Sequence, residues 1–182
     1  MQPLLINTFT TTTALGRGTA ATLSALRAQS SGLQAKRWDT VDLPTWLGEV
    51  EGLETVSLRA DLKEFDCRNN RLAQLALEQD GFMKSVQAAV QRFGKKRIGV
   101  FLGSSTSGIL SSELAYRERD PVSGALPPNH SYRHTHNMFS VADFVRQYAD
   151  IQGPANVVST ACSSSAKVFG IAQRMIHCGL ID

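Results

Sequence analysis

The stretch that most constrains the fold is Asn156-Val157-Val158-Ser159-Thr160-Ala161-Cys162-Ser163-Ser164-Ser165-Ala166-Lys167-Val168-Phe169-Gly170. An apolar, β-branched run climbs to a cysteine, and a helix-compatible segment continues through Ile171 to Ile176 until Gly179 stops it. Cys162 is thereby placed at a strand-to-helix turn. A thiol at a helix N-terminus faces unpaired backbone N–H groups and the positive end of the helix dipole, which favour the thiolate. The same N–H groups can stabilise an oxyanion. Small neighbours, Ala161 and Ser163 to Ser165, leave room for a substrate. The pattern equally fits a small buried cysteine between a strand and a helix, and the stretch by itself does not separate the two readings.

A second strand signal, Arg97-Ile98-Gly99-Val100-Phe101-Leu102, runs at once into Gly103-Ser104-Ser105-Thr106-Ser107-Gly108. Glycines five apart after a strand suggest a phosphate loop. Ile109 and Leu110 stand where lysine and a hydroxyl residue are needed, which excludes that reading. What remains is a tight turn into a helix over 109–116.

The other elements follow from periodicity and punctuation. Leu4 to Ile6 reads as a short strand, and Leu15-Gly16-Arg17-Gly18 turns the chain into a helix over 19–28 with Leu23 and Leu26 inward. Residues 35–63 are poorly periodic and broken by Pro44, Gly48 and Gly52, with Trp38 and Trp46 as loop anchors. Helices are predicted over 68–79, with Leu72, Leu75 and Ala76 on one face, and over 80–93, with Met83, Val86, Val90 and Phe93 at helical spacing. After an irregular stretch from Asp120 to Asn137, Ser140 reads as N-cap of a helix with Asp143 as its capping-box partner and Val141, Phe144, Val145 and Tyr148 as its buried stripe. The order predicts an α/β layered fold with a mostly parallel sheet and reactive groups at the C-terminal ends of its strands.

Several function classes receive no support. No apolar run approaches the ~20 residues of a membrane span, and Met1 to Asn7 lacks the charged and apolar regions of a secretory signal, so a cytoplasmic protein is expected. Cys67, Cys162 and Cys178 form no CxxC pair and fit a reducing compartment. A net charge of +3 without an aromatic-studded basic stripe gives no reason to expect nucleic acid, and Lys95-Lys96-Arg97 reads as a solvated turn before a strand. His130, His134 and His136 lie in the irregular stretch, but no Cys, Asp or Glu nearby completes a metal set, so polar loop histidines are expected and no metal.

Taken in order, these residues resemble the N-terminal half of a β-ketoacyl-[acyl carrier protein] synthase, a condensing enzyme of the thiolase-like superfamily. Thr160-Ala161-Cys162-Ser163-Ser164-Ser165-Ala166 is similar to the family's active-site cysteine signature. Arg97 to Gly108 resembles its core strand and Gly/Ser turn, and Leu15-Gly16 with Ser31-Gly32-Leu33 its opening strand-turn-helix. The resemblance implies a thiolase-like layered fold, of which residues 1–182 form the first half. It implies that Cys162 is the nucleophile that takes an acyl group from the phosphopantetheine arm of acyl carrier protein, with its own N–H in the oxyanion hole. It implies that Thr106 lines the acyl pocket near a dimer interface, and that the strand from Asn156 to Thr160 pairs with its two-fold mate in a homodimer or with a related synthase subunit. No cofactor is implied beyond the carrier's phosphopantetheine.

The departures are also informative. In the resembled family, a second half supplies a pair of histidines for malonyl decarboxylation and a Gly-rich turn for the oxyanion. His177, fifteen residues after Cys162, and the loop histidines match neither. The expectation is therefore a truncated chain that leaves apolar surface and a sheet edge uncovered, and that does not complete the condensation alone. The polar run Thr8 to Thr13 differs from the small, Gly-rich opening of typical fatty-acid enzymes and points to a divergent branch making polyene or other specialised acyl chains. Two other readings stay open. One is a non-catalytic partner like the chain-length-factor subunits, which typically lack the cysteine. The other is a thiolase-type or synthase-III-type enzyme acting on coenzyme A esters.

Overall fold

The computed structural model describes residues 3–38 and 41–182, with the backbone alone at 37, 38 and 41. In chain order it holds β1 (Thr12–Thr13), β2 (Gly16–Arg17), α1 (Thr19–Arg27), β3 (Leu33–Trp38), β4 (Val41–Gly48), α2 (Arg68–Leu77), α3 (Phe82–Phe93), β5 (Val100–Gly103), α4 (Ile109–Arg117), α5 (Ser140–Tyr148), β6 (Ala155–Val158) and α6 (Ser164–His177). Short 3-10 turns and one π turn, Tyr132–His136, join them.

The centre is the parallel pair β5–β6, in register from Val100 opposite Ala155 to Gly103 opposite Val158. The crossover between these strands carries α4, the irregular stretch and α5. Amphipathic α5 lies over the pair, and Ala142 and Phe144 are fully buried beneath it with Leu62 and Phe65 of the 60–65 turn. Burying a side chain such as Phe144 contributes roughly 1.5–3 kcal/mol. Met83, Val86 and Val90 of α3 and Val157 of β6 close the core from its sides, so the helical stripes read from the sequence meet each other here. Asn70, fully buried on α2, ties the layers together: its Nδ2 donates to Phe65 O at 2.8 Å and to Ser140 Oγ at 3.1 Å.

The N-terminal part is attached differently. Asp80, in the turn between α2 and α3, accepts from the Thr19 backbone N–H and from Thr10 Oγ1, both at 2.8 Å, and so supplies from afar the N-cap that Gly18 cannot. These bonds hold the Asp80 carboxyl below its ordinary range, the Thr19 N–H contributing most.

The α/β class holds, but the sheet is less parallel than expected. Among the described residues only β5–β6 runs parallel; β1–β2 and β3–β4 are antiparallel hairpins. Residues 33–48, read largely as irregular, form the longer hairpin, with Pro44 opposite Arg37. A two-stranded ribbon has edges on both sides and tolerates proline there. Trp46 projects from it 66% exposed instead of anchoring a loop, and the side chain of Trp38 lies outside what is described. Leu4 to Ile6 forms no strand, and Leu23 and Leu26 are exposed, with no element covering that side of α1 among the described residues. Ser140 is the first residue of α5 rather than its N-cap: its Oγ donates to His134 O and accepts from Asn70, while Asp143 pairs with Arg146 at 2.7 Å.

Candidate functional site

Both turns singled out in the sequence leave the C-terminal ends of β5 and β6. After Gly103 the chain bends through Ser104, whose N–H donates to Val158 O at 3.1 Å and so continues the parallel ladder by one bond. After Val158 it passes through Ser159 and Thr160 into the 3-10 turn Ala161–Ser163, and then into α6. Glycine is required at the end of β5. A Cβ on Gly103 would sit 2.6 Å from Ser165 N and 2.7 Å from Ser164 C, so the start of α6 rests directly on the strand backbone.

Cys162 is exposed, in this turn, at the N-terminus of the 14-residue helix α6. No side chain caps that helix end and its first turn carries no acidic residue. Among the described residues the Cys162 backbone N–H makes no hydrogen bond. The residue before it, Ala161, has φ 52°, the left-handed region. The other non-glycine residues in that region, Gln29, Asp80 and Asp150, come within three residues of the end of a helix, where chains habitually reverse. Ala161 instead precedes one. A non-glycine residue held there costs about 1–3 kcal/mol and persists only where its surroundings over-determine it. The surroundings here are Ser164, 3% exposed, which accepts from the Thr160 N–H at 2.8 Å and donates to Ala161 O at 2.7 Å.

This arrangement can present a sulfur to an incoming electrophile with a free N–H and a helix N-terminus behind it, a geometry suited to attack on a carbonyl. In these residues Cys162 is exposed at the turn rather than packed between the strand and the helix. The buried cysteine is Cys67: it is 3% exposed, and burial pushes its thiol above the ordinary range.

Thr106 is exposed in the Gly/Ser turn, held by its N–H donating to Ser104 Oγ at 3.2 Å and its carbonyl accepting from that hydroxyl at 2.9 Å. Neither Cys162 nor Thr106 lines the clefts of about 340, 400 and 460 Å3 found on the described residues.

The histidines are dispersed. Nδ1 of His136 meets Ser112 Oγ at 2.7 Å, and Nδ1 of His134 meets Ser131 Oγ at 2.9 Å with its ring edge-on to Phe65. Both pin the π turn against α4 and the core. His177 lies at the end of α6 beside Cys178, lining the cleft of about 400 Å3. Among the described residues no three His, Cys, Asp or Glu side chains converge as metal ligands, and no helix is long and apolar enough to cross a membrane. Sequence reasoning missed Ala161, Ser164 and Gly103. Their only advance signals were a glycine closing an apolar strand and a serine run after a cysteine.

Over 120 residues, 63% of this chain, it is 28% identical to a putative polyketide beta-ketoacyl synthase 1 of Streptomyces virginiae, and it covers 29% of that protein. Among solved structures it is similar to a chain of the complex between a ketosynthase and its chain length factor from Xenorhabdus doucetiae, with TM-score 0.76 and 28% identity over 93% of this chain and 42% of that one. The ketosynthase from module 6 of the bacillaene synthase of Bacillus subtilis 168 shares the fold at TM-score 0.62 and 16% identity, over 95% of this chain and 29% of that one. The chain therefore spans less than half the length of the relatives it matches. The family model for the beta-ketoacyl synthase N-terminal domain matches residues 1–182, and the chain belongs to that family.

Proposed function

We propose that Cys162 is the acyl-accepting nucleophile of a condensing enzyme. The thiolate attacks the carbonyl carbon of a thioester carried on the phosphopantetheine of an acyl carrier protein. The resulting oxyanion sits against the Cys162 N–H. The carbon–sulfur bond of the incoming thioester breaks, the carrier's thiolate leaves and takes a proton, and the acyl group remains on Cys162. The enzyme then joins that acyl group to a malonyl unit with loss of CO2, using groups outside these residues, in fatty-acid or polyketide-type synthesis. No cofactor enters besides the carrier's own arm. Thr106, at the end of the neighbouring strand, lines the path of the acyl chain.

The observation that carries this reading is an exposed cysteine at an uncapped helix N-terminus, on a turn held in a conformation alanine rarely adopts. A related synthase subunit is the favoured partner, since a solved neighbour is a ketosynthase with its chain length factor. In the competing reading the chain is itself the non-catalytic subunit, and an exposed thiol in this position has no use there.

The test is intact-mass measurement after incubation with an acyl-carrier-protein thioester or a cerulenin-type electrophile, against Cys162→Ala. An adduct that needs Cys162 supports the proposal. Equal labelling of Cys178, or of Cys67, sinks it. Faster loading from an acyl-coenzyme A ester would shift the assignment to the coenzyme A-using class.

A further inference from the structure

We propose that Ser164 is the positioning residue that aims the oxyanion donor of Cys162. The inference rests on Cys162 being the nucleophile, and it goes beyond that reading by assigning a task to a second residue.

Ala161 and Cys162 are joined by a single peptide unit. Its carbonyl belongs to Ala161 and its N–H to Cys162, and in a planar trans unit the two point in opposite directions. Whatever fixes the carbonyl therefore fixes where the N–H aims. Two donors fix it here, and both come from Ser164: its backbone N–H and its Oγ, the latter at 2.7 Å. With the carbonyl turned toward α6, the Cys162 N–H is directed the other way, and among the described residues it is left without an acceptor.

The same hydroxyl accepts from the Thr160 N–H at 2.8 Å, so one oxygen bridges both sides of the left-handed Ala161. It can do so because Ser164 is itself packed in place. It is 3% exposed, the one buried residue of α6, and its backbone lies against the spot where Gly103 has no Cβ. Ser163, its neighbour, is exposed and reaches back only to Thr160, at 2.9 Å to the carbonyl and 3.0 Å to the hydroxyl. It does not touch the Ala161–Cys162 peptide.

The consequence is specific to reactions that build an oxyanion. Alkylation of Cys162 by iodoacetamide displaces iodide at a saturated carbon and needs no such donor, whereas acylation from a thioester does. In the natural full-length protein, both rates are measured at Cys162 by peptide mass: alkylation with iodoacetamide, acylation with an acyl N-acetylcysteamine thioester. The variants are Ser164→Val and Ser164→Thr, which share a shape and differ in the hydroxyl. Ser164→Val should slow acylation about tenfold or more, as expected when an oxyanion donor is misdirected, while alkylation stays within about twofold, the change expected if nucleophilicity itself is untouched. Ser164→Thr should retain the acylation rate, and Ser163→Ala should leave it near the wild-type value.

Unchanged acylation in Ser164→Val overturns the proposal. So does an equal fall in both reactions, or an equal fall in the Thr and Val variants, because packing rather than aim would then be at stake. A wild-type Cys162 that alkylates but never acylates overturns the nucleophile reading instead, and the proposal with it.

Discussion

Helices α5 and α6 pack on the same pair of strands, yet they are built for different purposes. On α5, six consecutive residues from Ser140 to Val145 are buried, because α2 and the 60–65 turn cover the side that the strands do not. On α6 only Ser164 is buried, and Phe169 stands 53% exposed in the middle of the helix. Apolar content does not distinguish the two helices; the number of sides covered does. In α5 packing fixes the whole element, whereas in α6 it is concentrated at one residue, two positions past Cys162.

The contrast can be broken at its buried end. Phe144→Ala should destabilise this chain by about 3–5 kcal/mol, as a large aromatic deletion in a core does, read as a lower urea midpoint with the slope unchanged. A loss below about 1 kcal/mol would place the core elsewhere. Next in size, Asn70→Ala removes the donor to Phe65 O and Ser140 Oγ and should cost about 1–3 kcal/mol in the same assay. At the open end, Phe169→Ser should change stability by no more than about 0.5 kcal/mol. A larger cost would show that α6 is held by its length and not at its first residue.

A smaller effect sharpens the far end of α5. Burial, and then the Glu78 carboxylate that accepts from its hydroxyl at 2.7 Å, push the Tyr148 phenol up to about 12. A group whose folded value lies above the unfolded one contributes stability below the unfolded value, here about 10. That contribution is lost as pH rises toward 12. Alkaline unfolding curves of wild type and Tyr148→Phe should therefore converge across this window, with phenolate absorbance showing the late ionisation directly. Parallel curves would mean that neither burial nor Glu78 raises the Tyr148 phenol in solution.

The same comparison explains what could be read from the sequence. Stripes such as Val141, Phe144 and Val145, or Met83, Val86 and Val90, were legible because each faces another stripe, so periodicity and packing agree. Leu23 and Leu26 carry the same signal on α1, but among the described residues no element lies opposite, so periodicity and packing do not meet there. Ser140 fits the capping-box spacing, yet Asn70 and the His134 carbonyl, far away in sequence, claim its hydroxyl. The hairpin over 33–48 was hidden by Pro44 and Gly48, which interrupt strands in most contexts and are harmless in a ribbon with two edges. At the candidate site, the place of Cys162 between a strand and a helix was legible from the pattern around it. The left-handed Ala161 was not, because alanine carries no mark of its backbone angle. Ser164 could not be told from Ser163 and Ser165 until the fold buried one of them.

Arg97 precedes β5, and its side chain bonds both Gly179 O and the Asp182 carboxylate just beyond α6, while Gly103 at the other end of β5 receives the start of that helix. Strand and helix are thus matched like a bolt and its sleeve. Fourteen helical residues span about 21 Å at 1.5 Å each, and both stops are fixed. One residue inserted into or deleted from α6 would turn everything beyond it by about 100°, so either the Arg97 clasp or the seat under Cys162 must come undone. The length of this helix is therefore under tighter constraint than the identity of most of its residues.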